Sequence, residues 1–206
     1  MFYQASEHIA KKLVEKNTIS SENKPIYQYG IQQGFTIGLN ILTTFVIGLV
    51  FKMIVESFLF LAVYIPLRSF AGGVHAKTAN RCYVYSTIMI IAELLVIKFL
   101  PFGIFIGSCL SLISGAIIFL LAPVETENKK LDESEKQVYK KRARIILIIE
   151  LVIQFIIALM SWNNIMMCFS LAFVSLSLVM LAGVIKNNHN DKQNKINSVY
   201  HCLSVR

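Results

Sequence analysis

Six long apolar runs, separated by short charged connectors, restrict this chain to very few folds. The runs cover residues 31–51, 53–67, 83–97, 99–122, 145–162 and 165–185. In hydrocarbon every backbone N–H and C=O must find a partner within the protein, and a helix satisfies them inside one segment. Crossing takes about 20 mostly apolar residues. Four of the runs approach that length. The runs at 53–67 and 83–97 are shorter, which leaves room for tilt, a kink or re-entry. Charged residues make up 16% of the chain, against about 25% in soluble domains. The expectation is an all-α integral membrane protein with about six transmembrane helices, forming a single membrane-embedded domain over 1–206.

The connectors carry a second signal. In chain order they hold four, one, three, one, seven, none and four Lys or Arg. Alternate connectors therefore hold 18 of the 20 basic residues, and the others hold two. Positive residues favour the cytoplasmic side of a membrane. Both termini, the 68–82 connector and the 123–144 connector are expected there. The N-terminal segment 1–29 is then cytoplasmic or interfacial, and 186–206 is a cytoplasmic tail.

The net charge of +8 invites a nucleic-acid reading. The basic residues lie between hydrophobic spans, so anionic headgroups and acidic substrates suit them better. Within 2–16, Phe2, Ala5, Ile9 and Leu13 recur at helical spacing. This pattern fits an amphipathic helix lying on the bilayer or one packed on its own protein. Residues 1–30 show no signal-peptide pattern. The four cysteines (Cys82, Cys109, Cys168 and Cys202) form no CxxC pair, so neither a metal site nor a disulfide framework is expected. Two acids fall inside apolar runs: Glu56 with Lys52 nearby, and Glu93 with Lys98 nearby. Both point to ion pairs. Glu150 lies less than two turns inside the last basic cluster, at a depth a cytoplasmic-side active site can reach.

One segment concentrates reactive groups: RSFAGGVHAKTANRCYVYS, 68–86. Gly72 and Gly73 break a helix and permit close backbone approach. His75 precedes Cys82 by seven residues. In one straight helix that separation is about 10 Å along the axis, too far for a hydrogen bond. A Cys–His pair therefore needs a turn between them, which Thr78–Ala79–Asn80 can supply. With Asn80 as N-cap, Cys82 falls in the first turn of the next helix. A helix N-terminus and the neighbouring cations Lys77 and Arg81 favour a thiolate. His75 then takes the thiol proton and returns it to a leaving amine. Taken singly, each feature has a plainer reading: a packed or lipidated cysteine, and a satisfied interfacial histidine.

The arrangement GGVHA followed by Cys82, with Arg68 before it, resembles the AgrB family, membrane peptidases of Gram-positive quorum sensing. The likeness extends to the polar N-terminus, the roughly six spans, the basic connector and APVETENKKL at 122–131. The resemblance implies that Cys82 is the nucleophile and His75 its base, with Arg68 and Gly73 matching motif positions. It implies an AgrD-type propeptide substrate with an amphipathic leader, a signal segment and an acidic tail. Cleavage before the tail leaves a thioester, which an internal Cys or Ser converts to a thiolactone or lactone. No cofactor is implied. Gly72, Asn80 and Glu150 stand as supporting candidates. Lys140, Lys141, Arg142 and Arg144 are candidates for holding the acidic tail, or else a topology signal in contact with anionic lipid. A homodimer is expected from the family and from the small-residue face Gly103, Gly107, Ser111 and Gly115. A membrane peptide exporter or a non-enzymatic scaffold are the rival readings.

Overall fold

The computed structural model describes residues 2–74, 79–125 and 132–204, with side chains described throughout these except at 2, 79 and 189–204. The described chain is helical, with no strand and one isolated bridge, Gly72 to Val124. In order it forms α1 (Phe2–Glu15), a 3₁₀ turn (Ser21–Asn23), α2 (Lys24–Phe51), α3 (Ile54–Ala71), α4 (Ala79–Phe99), α5 (Ile104–Leu121), α6 (Glu133–Leu159) and α7 (Asn163–Ser204). Among the described residues, five stretches are long and apolar enough to cross a membrane: Ser21–Phe51, Ile54–Ala71, Asn80–Phe99, Ile104–Leu121 and Asn163–Asn188.

Both short runs of the sequence become full-length helices. α3 continues past Pro66 to Ala71, and α4 starts ahead of its apolar run. The run at 145–162 differs: it begins inside α6, whose first half is charged, and α6 stops at Leu159. That leaves about 15 apolar residues, or roughly 22 Å, short of the bilayer core. It is nevertheless packed lengthwise among spans. Leu147 and Leu151 line the space beside Gly115 of α5, and Gln154 reaches both α5 and α7.

The chain gathers into two compact units. The first comprises residues 1–57 and 76–92, the second 58–75 and 93–206. In the first, α1 lies against α2 and buries Ser6 and Ala10, while Ala5 and Ile9 stay exposed. One stripe of α1 thus serves the protein, and of the stripe expected from apolar spacing Ala5 and Ile9 stay outside while Leu13 is half-buried. α2 ends at Lys52, which adopts a left-handed φ of 59°. Gly48 lets the next helix approach, because a Cβ there would lie 2.5 Å from Ser57 Oγ. Thr43 Oγ1 and Tyr83 OH, 2.8 Å apart, tie α2 to the start of α4.

The second unit is built around α7: 56% of its spanning window is buried, against 17% for α2 in the first unit. Met166, Met167, Phe173, Leu176 and Met180 supply its inner face. A polar knot holds α5, α6 and α7 together. Gln154 Nε2 donates to Ser111 Oγ (2.6 Å) and Ser170 Oγ (3.1 Å), and both hydroxyls also serve Gly107 O. Buried polar groups are tolerated when mutually bonded. Gly107, Ser111 and Gly115 of the small-residue face of α5 are therefore used within the chain, while Gly103 meets no neighbour. Gly107 lies against Ser170 and Met166, and Gly115 against Leu147 and Leu151. Glu93 is buried, and its Oε1 accepts from Ser175 Oγ of α7 at 2.5 Å, a partner the sequence did not indicate.

Candidate active site

The glycine turn of the reactive segment belongs to the second unit. α3 ends at Ala71, and Gly72 and Gly73 take φ of +77° and +113°, values that favour glycine. The turn is then pinned from several directions. Gly73 N–H donates to Val124 O (3.2 Å), and Val124 N–H donates to Ala71 O (2.9 Å). Arg68, in the last turn of α3, spreads its guanidinium over the same bend: Nη1 donates to Gly72 O and Nη2 to Val74 O. A planar fork that bridges two carbonyls is a task lysine cannot copy. Val74 N–H reaches Val179 O of α7 at 3.4 Å. Arg68, Gly72 and Gly73, chosen from sequence as supporting residues, thus form one local structure.

The partner of that turn is a strap, residues 122–125, opened by a cis Ala122–Pro123 bond. Asn187 Nδ2 of α7 donates to Glu125 O (2.8 Å). The Glu125 carboxylate pairs with Lys136 Nζ of α6 at 2.7 Å. That hydrogen bond, with the added charge of Glu125 and Glu133, raises the Lys136 ammonium above its usual 10.5. Nearby on the same unit, Arg142 lies over the Phe70 ring (5.4 Å), and Phe70 meets Tyr139 edge-on (5.6 Å). Arg144 stacks on Phe119 (4.1 Å) and donates to Phe119 O (3.4 Å). Parts of three connectors grouped by charge in the sequence, at 68–74, at 122–125 with 136–142, and at Asn187, therefore meet at one end of this unit.

Cys82 belongs to the first unit. It is half-buried in the first turn of α4. Its carbonyl accepts from Ser86 Oγ (3.0 Å), and the adjoining Tyr83 carries the bond to Thr43. Asn80 is exposed and already helical, so α4 starts one residue before the position expected for its cap. His75, Lys77 and Thr78 lie outside the described residues. The other cysteines sit elsewhere. Cys168 is buried, with its Sγ on Asn164 O (3.2 Å), and Cys109 is exposed on α5. Among the described residues, no three of His, Cys, Asp and Glu gather as metal ligands.

The remaining candidates separate by exposure. Lys140, Lys141 and Arg142 are exposed on α6, and Arg144 is half-buried. Glu150 lies on the inner stripe of α6 with Ala143, Leu147, Gln154 and Ile157. Among the described residues its Oε2 has no hydrogen-bond partner. Gln154 is engaged through its Nε2 by Ser111 and Ser170. Sequence reasoning did not single out Val124, Val179, Gly183 or Asn187. The available signals were slight: a glycine inside an apolar helical run, which costs about 1 kcal/mol relative to alanine, and an asparagine at the run's end.

The family model for accessory gene regulator B (AgrB) matches residues 6–199. The chain belongs to the accessory gene regulator B family. Its similarity to curated proteins agrees. It is 30% identical over 172 residues to AgrB-like protein 2 of Clostridium perfringens (strain 13, type A), covering 80% of each chain. It is 30% identical over 171 residues to an AgrB-like protein of Clostridium perfringens strain SM101 (79% of this chain, 80% of the relative). No solved structure matches. With five helices able to cross a bilayer, this member of the AgrB family is a multi-pass membrane protein.

Proposed function

We infer that this AgrB-family protein is a membrane-embedded cysteine endopeptidase of a quorum-sensing propeptide, with Cys82 as nucleophile and His75 as general base. The observation that carries the reading is the placement of Cys82 in the first turn of a helix. Backbone N–H groups there face outward, and the dipole favours negative charge. His75 precedes it in a segment whose leading turn is held rigidly by Arg68 and Val124. Membership of the family over residues 6–199 supports the same reading.

The chemistry runs as acyl transfer. His75 takes the Cys82 thiol proton, and Sγ attacks the carbonyl carbon joining signal to tail. The tetrahedral intermediate collapses, the C–N bond breaks, and His75 gives the proton to the leaving amine. A thioester remains on Cys82. An internal thiol or hydroxyl of the substrate then attacks it, closing a thiolactone or lactone and restoring the Cys82 thiol. Exchange between thioesters is nearly balanced in free energy, so excluding water and holding the internal nucleophile close decide the product. An apolar bilayer edge suits both needs. Lys140, Lys141 and Arg142, exposed on α6, are given by this reading the task of receiving the acidic tail of an AgrD-like propeptide on the cytoplasmic side.

Co-expression with the propeptide tests the assignment. Cys82→Ala is expected to abolish the tail-cleavage shift on a gel, while variants of Cys109, Cys168 and Cys202 retain it. Cleavage by Cys82→Ala at the parental level sinks the enzyme reading and leaves an exporter or a scaffold.

A further inference from the structure

The glycine turn is held from a side that the chemistry above leaves unused. Val74 N–H, the last described donor before His75, bonds to Val179 O in the middle of α7. A mid-helix carbonyl already receives the N–H four residues on, which for Val179 is that of Gly183. A second donor can approach only where the helix surface is bare. A Cβ at 183 would lie 3.0 Å from Val124 Cγ1, 3.2 Å from Val74 N and 3.3 Å from Gly73 C. Two of those three atoms are backbone and cannot rotate away. Asn187, one turn further along α7, holds the strap that carries Val124.

We propose that Gly183 is a positioning residue of the reaction: its missing side chain lets residues 73–74 lie directly on α7, and so fixes the point and direction at which the chain enters His75. Val124 forms the opposite wall of the same slot. The proposal rests on the Cys82–His75 reading. Its effect passes through His75, so Gly183 touches neither substrate nor nucleophile. Displacing reacting groups by about 1 Å can cost around 10²-fold in rate. Any side chain at 183 is therefore expected to lower turnover in proportion to its size and to leave substrate binding intact.

The test uses the full-length protein in lipid nanodiscs with its propeptide, comparing Gly183→Ala, Gly183→Val, Val124→Ala and the double variant Gly183→Ala/Val124→Ala. Parental chain and Cys82→Ala run alongside. Gly183→Ala is expected to lower kcat several-fold and Gly183→Val by around 10²-fold, both with KM near the parental value. Val124→Ala removes the 3.0 Å neighbour and is expected to recover part of the Gly183→Ala loss. A helix-packing glycine predicts instead that activity falls only with the folded fraction, read as the monodisperse fraction and the unfolding midpoint. Parental kcat in both Gly183 single variants overturns the proposal, and so does a loss confined to KM or one that tracks unfolding. Should Gly183→Val fail to fold, Gly183→Ala and its rescue decide. Cleavage by Cys82→Ala removes the reading on which the proposal stands. An inactive Cys82→Ala beside fully active Gly183 variants defeats the proposal alone.

Discussion

Residues 71–74 are held by backbone hydrogen bonds and one bridging guanidinium, whereas the first turn of α4 is held through side chains. The glycine turn exchanges bonds with Val124 and Val179 and receives both arms of Arg68. The Cys82 turn shows Ser86 on its carbonyl and the Tyr83–Thr43 contact beside it. A backbone clamp defines position sharply and tolerates few substitutions, because the atoms in contact cannot move aside. A side-chain tether sets the rotation of a helix and tolerates more. In the proposed mechanism, the strand of chain entering the base is built for accuracy, and the nucleophile relies on the regularity of its helix.

The largest break in this comparison comes from His75 itself. His75→Ala and His75→Gln are expected to lose about 10² to 10⁴ in cleavage rate, the usual worth of a general base. Single-turnover kinetics on co-purified propeptide measure this, and a loss of only a few-fold moves the base elsewhere. Arg68 comes next. Arg68→Ala leaves the Gly72 and Val74 carbonyls without their donor, and a rate loss approaching 10²-fold is expected through misplacement. Arg68→Lys should recover little, since an ammonium cannot span both acceptors. Full activity in Arg68→Lys makes charge, not geometry, the requirement.

A smaller effect is expected from the basic edge of α6. Changing Lys140 and Lys141 together to Glu should weaken tail-dependent cleavage by roughly 2–30-fold, from exposed pairs worth 0.2–1 kcal/mol each. A propeptide with a basic tail should restore it, and no restoration leaves these lysines as a topology signal. On the nucleophile side, Tyr83→Phe removes one 2.8 Å bond. It should cost about 0.5–1.5 kcal/mol of stability with little change in rate. A large rate loss there shows the Cys82 turn to be clamped as tightly as the glycine turn. The smallest effect is at Lys136. Its ammonium is raised above 10.5 by Glu125, so its contribution is complete below that pH and fades only as pH rises through the higher folded value. The unfolding midpoint of Lys136→Met minus the parent should therefore stay flat between pH 6 and 9, and shrink in high salt.

Much of the architecture was legible without coordinates. Apolar runs read by length located the spans, because hydrocarbon leaves a helix as the way to bond a backbone. The connector charges also anticipated a spatial fact: 68–74, 122–125 with 136–142, and Asn187 share one end of a unit. Where the reading fell short, a neighbour intervened. Helix α4 starts upstream of its apolar run, since helix formation is set by hydrogen bonding and not by apolarity alone. Glu93 took a partner, Ser175, from α7, which its own helix does not announce. On the small-residue face of α5, Gly107 and Gly115 took partners from α7 and α6 of the same chain.

Composition, run length and charge alternation by themselves determined a helical membrane protein, and the motif around His75 and Cys82 identified its family. Those properties are local or summed along the chain, so a sequence carries them openly. The clamp on the glycine turn was decided only by tertiary structure. Val124, Val179, Gly183 and Asn187 come from a strap and a helix more than 45 residues away in the chain, and none is chemically distinctive. Their role arises from bare surface and spare carbonyl capacity meeting at one place, which no periodicity encodes.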